Sequence, residues 1–179
     1  MNHIKLIIIL FFLTLNSCSN NKKISENYTE NKNLETEMIK AYNEGVKALE
    51  KGDISYAAKK FNEAELLFPQ SDWAPRASLM AAYAYWTQQY FSESTNELKR
   101  FIKIYSNNEN LDYAYYLLAM SYYDSIVDEK GDLRPLLKSK SYFNILQSKF
   151  PETDYALDAK YKLELINDIL AAKELYIAR

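Results

Sequence analysis

Downstream of about residue 37 the apolar side chains fall at helical spacing, and the arrangement recurs every 37 residues. The small residues Gly45, Ala82 and Ala119 stand 37 apart, each within such an apolar stretch. Phe61 and Leu98 follow the first two at sixteen residues, and Pro69 and Ser106 follow those at eight, so each unit predicts a second helix in fixed phase with the first. The third unit carries its equivalents at Phe143 and Pro151, eight residues late. The delay falls on Ser125-Ile126-Val127-Asp128-Glu129-Lys130-Gly131-Asp132, a polar segment with a glycine, which reads as a loop inserted between two helices. A last helix from about Thr153 carries Ala156, Ala159, Leu163, Ile166, Leu170 and Leu175 and runs to Arg179 without a capping signal. The end helix of a stack needs a partner or a polar outer face, so the sequence reads as a fragment of a longer array.

Composition narrows the class. With 3 Gly and 4 Pro in 179 residues, and Ala, Leu, Lys, Glu and Tyr abundant, the chain suits one all-α domain. The units resemble tetratricopeptide repeats, which place a small residue in helix A, a large one three later, then Ala, a large apolar residue and Ala in helix B, with a closing Pro. Unit one matches at Gly45, Ala57, Phe61, Ala64 and Pro69. Unit two keeps Ala82, Tyr85 and Leu98 but has Ser94 and Phe101 where Ala is usual and Ser106 for Pro; unit three keeps Ala119, Tyr122, Phe143 and Pro151. A small residue is required where helices approach closely, because a larger side chain would overpack the contact by about 1 to 3 kcal/mol. Asp72-Trp73-Ala74, Asp112-Tyr113-Ala114 and Asp154-Tyr155-Ala156 each precede a helix A pattern, where an Asp suits the exposed amides, and Pro75 falls in a first turn. The expected architecture is a tetratricopeptide-like superhelix of helical hairpins, an α-solenoid of three full repeats plus a terminal helix, over residues 37–179.

The amino-terminal segment has a different character. Lys5 precedes Leu6 to Leu15, a ten-residue apolar stretch, too short for the roughly 20 residues a membrane span needs and suited to a signal-peptide core, residues 1–17. Leu15-Asn16-Ser17-Cys18 resembles a bacterial lipobox, with Asn16 departing from the usual small residue, and Cys18 is the single cysteine, so no disulfide forms within the chain. The resemblance implies fatty acylation of Cys18; the alternative is a cysteine that merely packs. In such lipoproteins an Asp after the Cys marks inner-membrane retention, whereas this chain has Ser19, so the expected location is the outer membrane. Residues 18–36 are polar with almost no apolar periodicity and read as a lipidated flexible tether.

In a tetratricopeptide array, helix A lines the concave face at positions three and four apart. That stripe holds Tyr42 in unit one, Arg76, Leu79, Tyr83 and Trp86 in unit two, and Tyr113, Tyr116, Met120 and Tyr123 in unit three. Six of the nine are aromatic, in a chain with 16 Tyr, 2 Trp and 8 Phe. Tyr and Trp offer contact area at low entropy cost with a polar tip, which suits a groove for an extended polypeptide. The competing reading is that these rings simply pack between repeats. The two differ in outcome: a groove expects Tyr83→Ala with Trp86→Ala to weaken peptide binding at nearly unchanged thermal stability, and packing expects a large stability loss.

Other chemistry is thin. The net charge of −2 and the absence of a basic run disfavour nucleic acid. His3 lies in the signal segment and Cys18 would be acylated, which removes imidazole and thiol from the mature chain. Gly45, Gly52 and Gly131 make no phosphate loop, no Cys/His metal spacing occurs, and no cofactor is implied. Carboxylate pairs such as Glu63 with Glu65 and Asp128 with Glu129 read as solvated surface. No enzymatic activity is expected.

The lipobox-like start, the tether and the repeats together resemble the BamD family of outer-membrane assembly lipoproteins, the tetratricopeptide subunit of the β-barrel assembly machine. The stretches that carry this are Glu50-Lys51-Gly52-Asp53, Ala57-Ala58-Lys59-Lys60-Phe61, Leu79-Met80-Ala81-Ala82-Tyr83-Ala84-Tyr85, Tyr113-Ala114-Tyr115-Tyr116-Leu117 and Lys149-Phe150-Pro151. The resemblance implies a periplasmic, lipid-anchored scaffold at the outer membrane whose partners are other subunits of that machine and unfolded outer-membrane proteins. Family members usually carry five repeats and meet the barrel-forming subunit through the carboxy-terminal ones, which do not occur here. The aromatic, carboxylate-terminated β-signal is the ligand the resemblance suggests, with Arg76 as its receiver. An alternative is another tetratricopeptide lipoprotein that serves pilus or secretion-channel assembly.

Overall fold

The computed structural model describes the backbone of residues 20–126 and 132–177, with side chains for residues 32–126 and 132–175. The expected signal peptide, Cys18 and residues 127–131 of the insertion lie outside the described residues. Within them the chain forms seven helices and no strand: α1 Asn20–Glu50, α2 Ile54–Leu67, α3 Trp73–Thr87, α4 Phe91–Ile104, α5 Leu111–Asp124, α6 Arg134–Lys149 and α7 Asp154–Ile177. Each helix packs on its sequence neighbours, and α5 also touches α3 and α7. The first helices of successive hairpins therefore form one layer and the second helices another, as expected of a tetratricopeptide solenoid of three hairpins and a terminal helix.

The repeat period is set by a small residue facing a large one. In unit one an added Cβ on Gly45 would stand 2.8 Å from the Phe61 ring, so only glycine leaves room for that ring. Ala82 shares a buried cluster with Leu98, and Ala119 shares the next with Phe143. Phe61, Phe101 and Phe143 are fully buried, each worth about 1.5 to 3 kcal/mol of transfer free energy.

Departures from the repeat pattern have local reasons. Ser94 is buried and lies 3.1 Å from the hydroxyl of Ser121, which also donates to the Leu117 carbonyl, so a polar pair replaces the usual alanine contact. Phe101 fills that unit's second alanine position and packs on Tyr105 at 5.2 Å.

The tether, two of the Asp caps and the surface position of Glu65 need correction. Residues 20–36, expected to be a flexible tether, are helical backbone continuous with α1; they contain no Gly or Pro to interrupt a helix already nucleated downstream. Asp72 stands at the start of α3 but makes no side-chain capping bond. Asp112 lies one residue inside α5 and there accepts from the first-turn amide of Tyr113 at 2.7 Å, as expected, whereas the cap of α7 is not Asp154 but Thr153, whose Oγ1 accepts from the Ala156 amide. Glu65, expected at the surface, is buried: Arg100 donates to both of its oxygens at 2.8 and 2.6 Å, and the Tyr105 hydroxyl donates at 2.7 Å.

Among the described residues no helix is long and apolar enough to cross a membrane. The terminal helix α7 leaves Leu157, Tyr161, Leu165 and Leu175 exposed.

Candidate functional site

An open groove of about 580 Å³ runs across the layer of first helices, lined by Tyr42, Arg76, Leu79, Met80, Tyr83, Glu109, Asn110, Tyr113 and Tyr155. It thus joins five of the nine stripe residues, drawn from α1, α3 and α5. The reason is geometric. In α3 and α5, positions three and four apart emerge on one face, and the two helices are parallel members of one layer, so their stripes lie side by side.

The other four stripe residues sit farther along. Trp86 and Tyr123 line a second pocket of about 510 Å³ with Thr87, Gln89, Phe91, Asp124 and Ile126. Tyr116 is held in the seam with α7: its hydroxyl donates to Asp158 at 2.8 Å, and its ring meets Tyr155 at 5.1 Å and Phe143 at 6.1 Å. Met120 packs against the core of unit three. Tyr83 of the first pocket and Trp86 of the second are neighbours, their ring centroids 6.0 Å apart.

Aromatic contacts brace the walls. Tyr42 meets Phe61 and Trp73 edge-on at 5.3 and 5.2 Å, and Tyr113 meets Tyr155 at 5.4 Å. Arg76 is exposed, its guanidinium 5.7 Å from the Trp73 ring centroid, so it is oriented without a carboxylate bound to it. Glu109 shares the same pocket. The groove therefore offers one cation, one anion and a floor of Leu79, Met80 and tyrosine rings. Those features can hold an extended segment by apolar contact and orient its charged end, and they include no metal-binding group of His, Cys, Asp or Glu among the described residues.

Titration follows burial. Desolvation raises Tyr113 and Tyr116, the latter also through its bond to Asp158. Tyr42 is raised by burial, against the opposing charge of Arg76. Asp124 is raised by desolvation while the Trp86 indole N–H, at 3.0 Å, and Lys162 act the other way.

Two of the proposed groove rings serve a second purpose. Tyr83 and Trp86 are half-buried against the cluster built on Leu79, Leu98 and Leu118, so truncating them removes packing as well as surface. Sequence reasoning missed Tyr155, Met80, Glu109 and Asn110. The Asp-Tyr-Ala recurrence contains Tyr155, which could have been found by asking where the residue after the Asp points; Glu109 and Asn110 precede α5 in a loop with no periodicity to reveal them.

The sequence matches the family YfiO, described as outer membrane lipoprotein, over residues 34–179. It is similar to outer membrane protein assembly factor BamD of Rickettsia prowazekii, 33% identical over 96% of this chain and 66% of the relative, and of Caulobacter vibrioides, 34% identical over 77% of this chain and 45% of the relative. The chain thus spans between about half and two thirds of the length of these curated relatives. In fold it is similar to the first tetratricopeptide domain of Spaghetti (RPAP3), solved bound to an HSP90 peptide (TM-score 0.56, 16% identity, 76% of this chain and 94% of that one). The tetratricopeptide domain of Arabidopsis OM64 is comparable (TM-score 0.55, 14% identity, 73% and 97%).

Proposed function

The chain belongs to the YfiO family of outer membrane lipoproteins, and from that premise we propose that it is a non-catalytic scaffold that assists assembly of β-barrel proteins at the outer membrane. Its relatives bear the name outer membrane protein assembly factor, and this chain takes the same role by binding unfolded barrel segments and partner subunits of the assembly machine. Acylated Cys18 holds it to the periplasmic face of the outer membrane.

The observation that carries this reading is the aromatic groove over α1, α3 and α5, with Arg76 at its mouth. An unfolded barrel strand is alternately apolar, and a strand at the carboxy terminus of its chain ends in a free carboxylate. Stacking on Tyr42, Tyr83 and Tyr113 would bury its aromatic side chains, and Arg76 would pair with its free carboxyl end. Glu109 opposes a second negative charge there, which favours a single terminal carboxylate over an acidic tail.

Because Tyr83 and Trp86 also support the core, the sharper variant is Arg76→Gln. Arg76 is exposed, so its loss leaves the unfolding midpoint unchanged. A short aromatic peptide with a free carboxyl end, followed by fluorescence anisotropy, should bind about tenfold more weakly to Arg76→Gln, as expected for losing one charge-assisted pair. The same peptide with an amidated end should show no such difference. Equal affinities of the free and amidated peptides for the unaltered protein would remove Arg76 from the binding role, and failure of both peptides to bind would remove the groove.

A further inference from the structure

We infer that the pocket walled by Trp86, Phe91, Tyr123 and Asp124 receives a basic side chain, Lys or Arg, from the polypeptide lying in the groove, and so sets the direction and register of that polypeptide. The inference rests on the groove reading above and adds a specificity subsite to it.

The pocket has three aromatic rings and one carboxylate among its lining residues, and no cation. Aromatic faces attract cations through their quadrupole. Here one already does so: Lys162 of α7 places its ammonium 5.4 Å from the Tyr123 ring centroid. Trp86 donates its indole N–H to Asp124 Oδ2 at 3.0 Å, which fixes the carboxylate at the pocket wall beside the ring faces. Lys162 also acts on the Asp124 carboxylate, but Asp158, the acceptor of the Tyr116 hydroxyl, acts with Asp124 on that same tyrosine, so this corner holds two carboxylates to one ammonium.

The separation of the two charged ends supplies a ruler. Arg76 and Trp86 lie ten residues apart on α3, about 15 Å at the helical rise. Extended chain covers that distance in about four to five residues. A segment whose carboxyl end sits at Arg76 thus presents a side chain four or five residues upstream to Asp124, passing the Tyr83 and Trp86 rings, whose centroids are 6.0 Å apart.

The test compares peptides that share an aromatic sequence and a free carboxyl end and carry Lys or Glu at the fifth residue from that end. At low salt the Lys peptide should bind the full chain about tenfold tighter than the Glu peptide, and moving the Lys next to the carboxyl end should erase the preference. Asp124→Asn should reduce the preference to within about twofold, and Asp124→Lys should invert it, with helical circular dichroism retained in both. Equal affinity for the Lys and Glu peptides, or a preference that survives Asp124→Asn, overturns the subsite. If binding responds to Arg76→Gln yet ignores the Lys, only the subsite falls; if no peptide binds, the groove and the subsite fall together.

Discussion

Single positions in this chain are governed by space and by backbone handedness. Gly45 and Gly52 show the two cases apart. At Gly45 an added Cβ meets the buried Phe61 ring at 2.8 to 3.1 Å, so Gly45→Ala should lower the free energy of unfolding by about 1 to 3 kcal/mol in a urea titration. A neutral result would mean that Phe61 can withdraw. Gly52 has nothing within 4 Å of an added Cβ but a φ of +76°. Thirty-seven residues later Gln89 occupies the same left-handed conformation at φ 64°, and both close a helix with the same paired bonds: Asp53 N–H to Ala48 and Gly52 N–H to Leu49, then Tyr90 N–H to Tyr85 and Gln89 N–H to Trp86. Gln89→Gly should therefore stabilise the protein by about 1 kcal/mol, read as a higher urea midpoint.

Helix starts obey a similar division between equivalent units. Asp53 accepts from the Tyr56 amide at 3.2 Å and caps α2, whereas its counterpart Tyr90 offers α4 no side-chain cap. Asp53→Ala should cost about 1 kcal/mol, and Tyr90→Asp should return a comparable amount. Asp72→Ala should change stability by no more than a few tenths, because the Asp72 side chain makes no capping bond. Comparing the three urea midpoints checks the set; a large effect at Asp72 would contradict the geometry. The sequence marks Asp72 as a cap by residue type and position, but its backbone is already helical at φ −65° and ψ −13°, whereas Asp53 at φ −86° and ψ 77° brings its carboxylate onto the Tyr56 amide.

Across the whole stack, hairpins are joined by few polar contacts. Arg100 of α4 spans to Glu65 of α2 and to Ser78 of α3, tying the first hairpin to the second. Ser94 with Ser121 and Trp86 with Asp124 join the second hairpin to the third, and the Tyr105 and Tyr116 hydroxyls add bonds to Glu65 and Asp158. Burial raises Tyr42, Tyr85, Tyr105, Tyr113, Tyr116 and Tyr142 above the ordinary value of 10.0, with Glu65 reinforcing the rise at Tyr105 and Asp158 that at Tyr116. The unfolded chain releases these phenolic protons near pH 10 while the folded chain holds them, so their contribution is complete below pH 10 and is lost as pH rises beyond it. Phenolate absorbance should accordingly lag and then climb together with the loss of helical circular dichroism. Gradual ionisation around pH 10 with helices intact would show these hydroxyls to be solvated.

Residue spacing by itself determined the all-α class, the 37-residue hairpin period, the partnership of Gly45 with Phe61 and of Ala119 with Phe143, and the stripe of aromatic residues on the first helices. Those features are local or periodic, and a helix converts sequence intervals directly into faces. Tertiary structure decided which stripe residues share a cavity: Tyr83 and Tyr113 come together because α3 and α5 lie side by side, while Tyr116 turns to Asp158 of α7, a neighbour 42 residues away. It also decided the burial of Glu65, which depends on Arg100 and Tyr105 arriving 35 and 40 residues downstream, and the entry of Glu109 and Tyr155 into the groove. No periodicity encodes such meetings, because they arise from the packing angle and offset between helices rather than from the spacing within one.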